Sequence, residues 1–221
     1  MNNIWKIILF VWMSAVMVLA VLYPIPFIPA LGDKARILFF HVPMAWTSVV
    51  AFFMAMFYSV KYLTKKDILF DFKAASAAGL GLLFCILATV TGAVWAKFNW
   101  GAFWNWDPRQ TSIFLLLLIY GAYFALRSAV PSEDSRAKLA SVYSILAFVT
   151  VPFFIFIVPR IVSSLHPEPI INVQGKIKMD TGMLLIFIAS LISFMVLFFW
   201  MLSLRIRLSK ITLSRIEFNA D

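Results

Sequence analysis

The chain has 221 residues, of which 63% are hydrophobic and 13% are charged, and its mean hydropathy is +0.94. So few polar side chains cannot cover the surface of a water-soluble protein, which excludes soluble enzymes and soluble nucleic-acid-binding domains. Because membrane proteins gather lysine and arginine in their loops, the net charge of +9 indicates basic loops and no nucleic-acid partner.

Six apolar runs are each long enough to cross about 30 Å of hydrocarbon. They predict an all-α, polytopic membrane protein with a single domain over residues 1–221. The predicted spans are about 4–23, 37–62, 74–96, 111–126, 139–158 and 181–204. The first span is longer than a signal-peptide core and has no small-x-small cleavage site before Pro24, so we expect a retained anchor. Gly32 and Asp33 then predict a cap for the second helix.

The second span carries His41 one turn inside its first end, where Pro43 is close enough to the helix start to be tolerated. His41, Ala45 and Ser48 share one face of this helix. The two small residues indicate either room for the edge of a ligand or a packing groove.

Glycine and proline residues predict local features of the third and fifth spans. In the third span, Gly79, Gly81 and Gly92 predict the close approach of a neighbouring helix. In the fifth span, Pro152 predicts a kink towards the end of the helix.

Residues 100–111 (WGAFWNWDPRQT), which we call the tryptophan loop, join the third and fourth spans. Trp100, Trp104 and Trp106 bring three flat rings into a connection that needs only polar, flexible residues, so the loop is predicted to bind something. The alternative is an aromatic belt at the membrane interface. Asp107, with a proline next in sequence, predicts an N-cap and Gln110 a capping box for the fourth span.

The distribution of basic residues predicts the orientation in the membrane. Most of the 19 lysines and arginines fall near the N-terminus, in the second and fourth loops and in the C-terminal tail. Both termini are therefore predicted to be cytoplasmic. His41, the tryptophan loop and His166, which lies between the fifth and sixth spans, then all fall on the outer face.

The chain contains only these 2 histidines. Imidazole nitrogen is a good ligand for iron, and a planar macrocycle needs axial ligands on two sides and flat apolar surfaces against its faces. His41, His166 and the tryptophan rings between them in sequence supply both kinds of group. The alternative is that each histidine is an ordinary solvated residue at the interface.

Two arginines and one carboxylate lie near the predicted site. Arg36 and Arg109 stand at the outer ends of their spans, where the planar guanidinium suits a haem carboxylate or, alternatively, lipid phosphate. Asp107 is expected to act mainly as a cap, with direct ligand binding as the second possibility. The remaining tryptophans are interpreted as anchors or packing residues: Trp5, Trp12, Trp46, Trp95 and Trp200.

The sequence also limits the chemistry of the chain. Cys85 is the single cysteine, so no disulfide, Cys-x-x-Cys pair or haem-attachment motif is present. No G-x-x-x-x-G-K-[ST] loop is present either, so the chain does not hydrolyse nucleotide alone. We therefore do not expect the isolated chain to be an enzyme, and no residue is assigned a catalytic role.

Two segments resemble a known family. The tryptophan loop resembles the tryptophan-rich "WWD" signature of membrane haem-handling proteins in cytochrome c maturation. The segment 36–46 (RILFFHVPMAW) resembles the second-span signature of the smaller branch, the haem exporter protein C (CcmC) type. Six spans and a histidine in the last outer loop agree over essentially the whole chain.

This resemblance implies a function in haem transfer in the inner membrane of a bacterium. His41 and His166 would be axial ligands of haem b, with Trp100, Trp104 and Trp106 as the platform and Asp107, Arg36 and Arg109 completing the cofactor site. The implied partners are a membrane-tethered haem chaperone, an ATP-binding subunit, a second membrane subunit and a small one-span protein, together forming an ABC-type complex that presents haem on the periplasmic face.

Three alternatives remain open at this stage. Residues 105–109 (NWDPR) look closer to the larger branch, the CcsA-like subunit of cytochrome c synthetase. A b-type cytochrome subunit would use haem to transfer electrons, although such proteins usually place their histidines within spans. A permease subunit would use the tryptophan loop only as an interfacial belt.

Overall fold

The computed structural model describes residues 4–26, 28, 31–167, 170, 175, 177 and 179–220, with 215–220 described as backbone only. Six helical segments in this part of the chain are long and apolar enough to cross a membrane. The predicted all-α fold with six spans is therefore confirmed.

The described residues form seven α-helices. They are α1 (Ile4–Leu22), α2 (Leu38–Lys65), α3 (Ile68–Trp100), α4 (Pro108–Ala129), α5 (Glu133–Pro152), α6 (Val158–Ile161) and α7 (Thr181–Ala220). A 3-10 turn over Gly32–Ile37 leads into α2, and a π-helical turn over Phe153–Ile157 joins α5 to α6. The fifth span therefore consists of α5, the π turn and α6.

Several helices are longer than the predicted spans. The third span was expected to start at about residue 74, yet α3 begins at Ile68, where the Asp67 carboxylate accepts a hydrogen bond from the Leu69 N–H at 2.9 Å. The last span was expected to end near residue 204, yet α7 continues to Ala220. An apolar run marks only the part of a helix inside the bilayer, and lysine and arginine continue a helix readily beyond it.

The predicted cap of the second span is wrong. The 3-10 turn starts at Gly32, and no side chain caps it. Asp33 instead forms an ion pair with Arg36 at 3.0 Å. The 3-10 turn is continuous with α2, so the helical segment begins before the predicted residue 37.

The two predictions at the start of α4 have different outcomes. Asp107 is the N-cap, and its carboxylate accepts a hydrogen bond from the Arg109 N–H at 2.9 Å. The capping box is wrong, because Gln110 Oε1 accepts from the Asn105 N–H at 2.9 Å, and Gln110 Nε2 donates to the Phe103 carbonyl at 3.2 Å. Gln110 therefore fastens the tryptophan loop to the first turn of α4.

The core forms where α2 and α3 pack side by side, with α4, α5 and α7 around them. A Cβ added to Gly81 would lie 2.6 Å from the Phe52 ring, so the predicted close approach of helices occurs here. The Phe52 ring in turn stacks on Tyr120 of α4, with ring centroids 3.5 Å apart. Small residues on α3 thus let aromatic side chains fill the centre of the bundle.

The fifth span departs from regular α geometry directly after Pro152. Proline has no N–H to donate and its ring crowds the preceding turn, which is how proline disturbs a helix. The π-helical turn over Phe153–Ile157 lies between Pro152 and Pro159, and it is the turn that precedes Pro159. The sequence predicted a kink in this span, and the structure has a π-helical turn there.

Pro43 removes one backbone hydrogen bond from α2. In a regular α-helix the N–H of residue 43 would donate to the Phe39 carbonyl, four residues earlier. Proline has no N–H, and the Ser190 hydroxyl of α7 donates to this carbonyl instead. Ser190 is 1% exposed, so the bond lies in a region where an unsatisfied carbonyl would be costly.

We expect Ser190→Ala to lower the free energy of unfolding by about 1–2 kcal/mol, because it leaves the Phe39 carbonyl unpaired. In a Pro43→Ala background the restored N–H can bond this carbonyl, so the same substitution should cost less. Ser193→Ala is the matched control, since the Ser193 hydroxyl bonds only a carbonyl of its own helix, that of Ala189. Denaturant titration in detergent micelles measures the free energy of unfolding of the two single serine variants, of Pro43→Ala and of the double variant. If Ser190→Ala costs the same free energy with and without Pro43, the interpretation is contradicted.

Candidate functional site

A cavity of about 800 Å³ lies at the end of the bundle where the tryptophan loop is found. Residues of α2, α3, α4, the π-helical turn, α6 and α7 line it, and both histidines are among them. Its volume falls in the usual range for cofactor sites, roughly 300–1,000 Å³. The structure thus brings His41 and His166 to one cavity, although they are 125 positions apart in sequence.

The Asp107 carboxylate holds His166 in place. The His166 Nδ1 lies 2.8 Å from Asp107 Oδ1, and the Asp107 side chain is completely buried. The same carboxylate accepts from the Leu165 N–H at 2.7 Å and from the Ser164 hydroxyl at 2.8 Å. One side chain therefore caps α4 and orders the three residues that end in the histidine.

The protonation states follow from these surroundings. Burial opposes the ionisation of Asp107, but the hydrogen bonds from Leu165, Ser164 and Arg109 outweigh it, and the pKa of Asp107 lies below its ordinary 3.8. Burial lowers the pKa of His166 from 6.5 to about 4, although the Asp107 carboxylate acts in the opposite direction. At neutral pH a neutral imidazole therefore donates its Nδ1–H to a carboxylate, which leaves the lone pair on Nε2.

Thr91 holds the other imidazole. The His41 Nδ1 lies 3.2 Å from the Thr91 hydroxyl oxygen, and the hydroxyl donates its own hydrogen to the Leu87 carbonyl at 2.8 Å. The hydroxyl is therefore the acceptor, and we assign the proton of His41 to Nδ1, with the lone pair on Nε2. A Cβ added to Gly92 would lie 2.8 Å from the imidazole carbon Cε1, so the ring sits where only glycine leaves room.

The tryptophans of the loop occupy different positions. Trp104 lines the cavity, whereas Trp100 meets the His166 imidazole edge-on, with ring centroids 4.7 Å apart. Trp106 is 72% exposed, has a positive φ of 53° and packs edge-on against Trp104. The structure therefore places one of the three predicted platform residues on the cavity wall and a second against a histidine, with the third at the surface.

The two candidate arginines also differ. Arg36 donates to the carbonyls of Ala20 and Tyr23 at 3.0 and 2.9 Å, and it is not among the described residues that line the cavity. It joins the end of α1 to the start of the second span. Arg109 does line the cavity; its Nη2 donates to the Pro167 carbonyl at 3.0 Å, and its buried Nε has no hydrogen-bond partner among the described residues.

Sequence reasoning missed Trp95, which was interpreted as a packing residue or membrane anchor. Trp95 lines the cavity and stacks on His166, with ring centroids 5.8 Å apart and an angle of 27° between the rings. Its indole N–H donates to the Lys34 carbonyl at 3.1 Å. Ala88, Gly92 and Trp95 share one face of α3 by their spacing, and this small–small–aromatic pattern is the signal that could have identified the site.

The fold and the site define a polytopic helical membrane protein with a two-histidine cavity beneath a tryptophan-rich loop. A family model described as CcmC, heme exporter protein C, matches residues 2–219. The chain therefore belongs to the heme exporter protein C family.

Curated relatives support this membership. Heme exporter protein C of Bradyrhizobium diazoefficiens is 32% identical over 76% of this chain and 63% of its own length. A putative cytochrome c biosynthesis ccmC-like mitochondrial protein of Marchantia polymorpha is 34% identical over 57% of this chain and 52% of its own. Heme exporter protein C of Haemophilus influenzae is 29% identical over 90% and 82%. The first two matches thus span 63% and 52% of the relatives' lengths.

The lowered pKa of His166 predicts a pH dependence of stability. Folded His166 takes up its proton only near pH 4, whereas the unfolded chain takes it up near 6.5. In this window the unfolded state binds more protons, so the free energy of unfolding falls as the pH is lowered from 6.5 to 4. We expect His166→Gln to flatten the profile of denaturant titrations of the haem-free protein, while any contribution of His41 cancels in the comparison. Parallel profiles would contradict the assignment.

Proposed function

We propose that this protein binds haem b in the two-histidine cavity and delivers it during cytochrome c maturation. The observation that carries the proposal is that two imidazoles line one cavity, each with its Nδ1 in a hydrogen bond. The tautomers assigned above leave the lone pair on Nε2. An imidazole in this tautomer is ready to bind iron, and a hydrogen bond to the opposite nitrogen is the usual support of a histidine ligand. Family membership agrees with a role in haem delivery.

The rest of the cavity fits a porphyrin. Trp95, Trp104 and Trp46 line the cavity together with aliphatic side chains, and flat apolar groups favour a planar macrocycle. Arg109 also lines the wall, and its Nε has no partner in the part of the chain that the structure describes, so it is the better candidate for a haem carboxylate. Arg36 supports the helix that carries His41. Trp100 and Asp107 hold His166, and exposed Trp106 is free to meet a partner.

In this proposal haem is cargo, and the chain contributes binding, orientation and release. The loop charges favour cytoplasmic termini and a cavity that faces the periplasm. Six apolar helices and bacterial relatives support a location in the bacterial inner membrane. A membrane-tethered chaperone would receive the haem beside the tryptophan loop. An ATP-binding subunit, a second membrane subunit and a small one-span protein would complete an ABC-type complex, whose ATP hydrolysis supplies the energy for release.

Visible spectra of the purified, haem-loaded protein test the ligand assignment. The unmodified chain should give a low-spin spectrum of two-histidine ligation, and His41→Ala and His166→Ala should each abolish it, because each removes one axial ligand. Added imidazole should restore the spectrum in both variants. A two-histidine spectrum that survives in both would refute the proposal, and rapid reversible reduction by a quinol would favour a b-type cytochrome.

Gly92 offers an independent test of the His41 position. We expect Gly92→Ala to weaken haem binding about tenfold or more, because the new Cβ would displace the His41 imidazole. Gly121→Ala is the matched control, since a Cβ there meets nothing within 4 Å. Haem titration followed by absorbance measures both; equal affinities in the two variants would show that the imidazole position does not matter for binding.

A further inference from the structure

The two imidazoles differ in the partner that supports each of them. His166 donates to a buried carboxylate, whereas His41 donates to a neutral hydroxyl. We propose that His41 is the ligand that the haem iron releases first, and that Thr91 is the positioning residue that sets how firmly it is held. This inference rests on the proposed function, and it adds the order in which the two iron–histidine bonds break.

The hydrogen bond that holds the His166 imidazole is stronger than the one that holds the His41 imidazole. Its Nδ1 lies 2.8 Å from a carboxylate oxygen of Asp107, a distance typical of a charge-assisted hydrogen bond. A negative charge on this side of the ring raises the donor strength of Nε2 and strengthens its bond to a metal. The imidazole also packs against the rings of Trp95 and Trp100.

The support of His41 is weaker. The contact between Nδ1 and the Thr91 hydroxyl is 3.2 Å long, and the hydroxyl oxygen carries no charge. The Ala88 backbone, the other hydrogen-bond partner of this imidazole, is also uncharged. The hydrogen of the hydroxyl is already donated to carbonyls of α3, those of Leu87 and Ala88, so the hydroxyl offers His41 only a lone pair. A neutral hydrogen bond is roughly half as strong as a charge-assisted one, so Nε2 of His41 is the weaker electron donor to iron.

The chain segments that carry the two histidines favour the same order. His41 lies on α2, a helix of 28 residues whose backbone is fixed by its neighbours. His166 follows the short α6 in a connection where Leu165 is 59% exposed. Haem that moves outwards must leave the His41 imidazole behind, because α2 cannot follow it.

Carbon monoxide identifies the first ligand to leave. The haem-loaded, full-length protein is reduced with dithionite, and carbon monoxide replaces one histidine as an Fe–C bond forms and an Fe–N bond breaks. If His41 leaves, His166 remains opposite the bound carbon monoxide. Asp107→Asn should then shift the Fe–C stretching band to higher frequency in resonance Raman spectra, because a weaker donor opposite carbon monoxide competes less with the Fe–C bond. Thr91→Val should leave the band in place.

The rate of carbon monoxide binding tests Thr91 itself. At saturating carbon monoxide the rate equals that of histidine release from ferrous iron. Thr91→Val keeps the shape of the side chain but removes the acceptor of the His41 Nδ1–H, so we expect release about tenfold faster. Thr91→Ser keeps the hydroxyl and should restore the slow rate, which a purely structural effect of residue 91 would not require.

The two carbon monoxide experiments can each contradict the inference. A stretching band that responds to Thr91→Val and not to Asp107→Asn would reverse the order, and a release rate unchanged by Thr91→Val would remove Thr91 from its positioning role. Either result overturns the inference while the two-histidine site stands. If the unmodified protein shows no two-histidine spectrum before carbon monoxide is added, the proposed function fails and the inference fails with it.

Discussion

The buried carboxylate of Asp107 is the group on which the candidate site depends. It caps α4, accepts a hydrogen bond from the backbone of Leu165 and holds the His166 imidazole at 2.8 Å. These groups belong to two segments more than 50 residues apart in sequence. One negative charge in a buried place thus fixes the start of a helix, the end of a loop and the tautomer of a histidine, and it is stable there because several donors surround it.

The cavity exists because small residues stand where helices would otherwise close the space. Gly92 leaves room for the His41 imidazole, and Ala45 and Ala88 line the same wall. In a membrane such residues usually bring helices together, as Gly81 does against the Phe52 ring. The same type of residue therefore tightens the centre of the bundle and opens the end that carries the histidines.

The sequence was sufficient to predict six spans and to place His41, the tryptophan loop and His166 at one end, because hydropathy and basic residues report directly on the bilayer. It could not predict where helices end beyond the apolar runs, since residues such as Arg205 extend α7 at little cost. Nor could it assign Thr91 or Trp95 to the site, because their roles arise from side-chain contacts across helices. Arg36 and Arg109 occupy similar positions in the sequence. Only the packed structure shows that Arg36 bonds the end of α1 whereas Arg109 lines the cavity.

The π-helical turn over Phe153–Ile157 has a consequence for the chain's tolerance of insertions and deletions. A π turn holds one residue more than the α-helical turn it replaces, so everything after it is rotated by about 100° relative to an uninterrupted helix. Pro159 and Arg160 line the cavity only in this phase. Loss of a single residue from the turn would redirect that face away from the cavity, so we expect evolution to conserve the length of this segment more strictly than its composition.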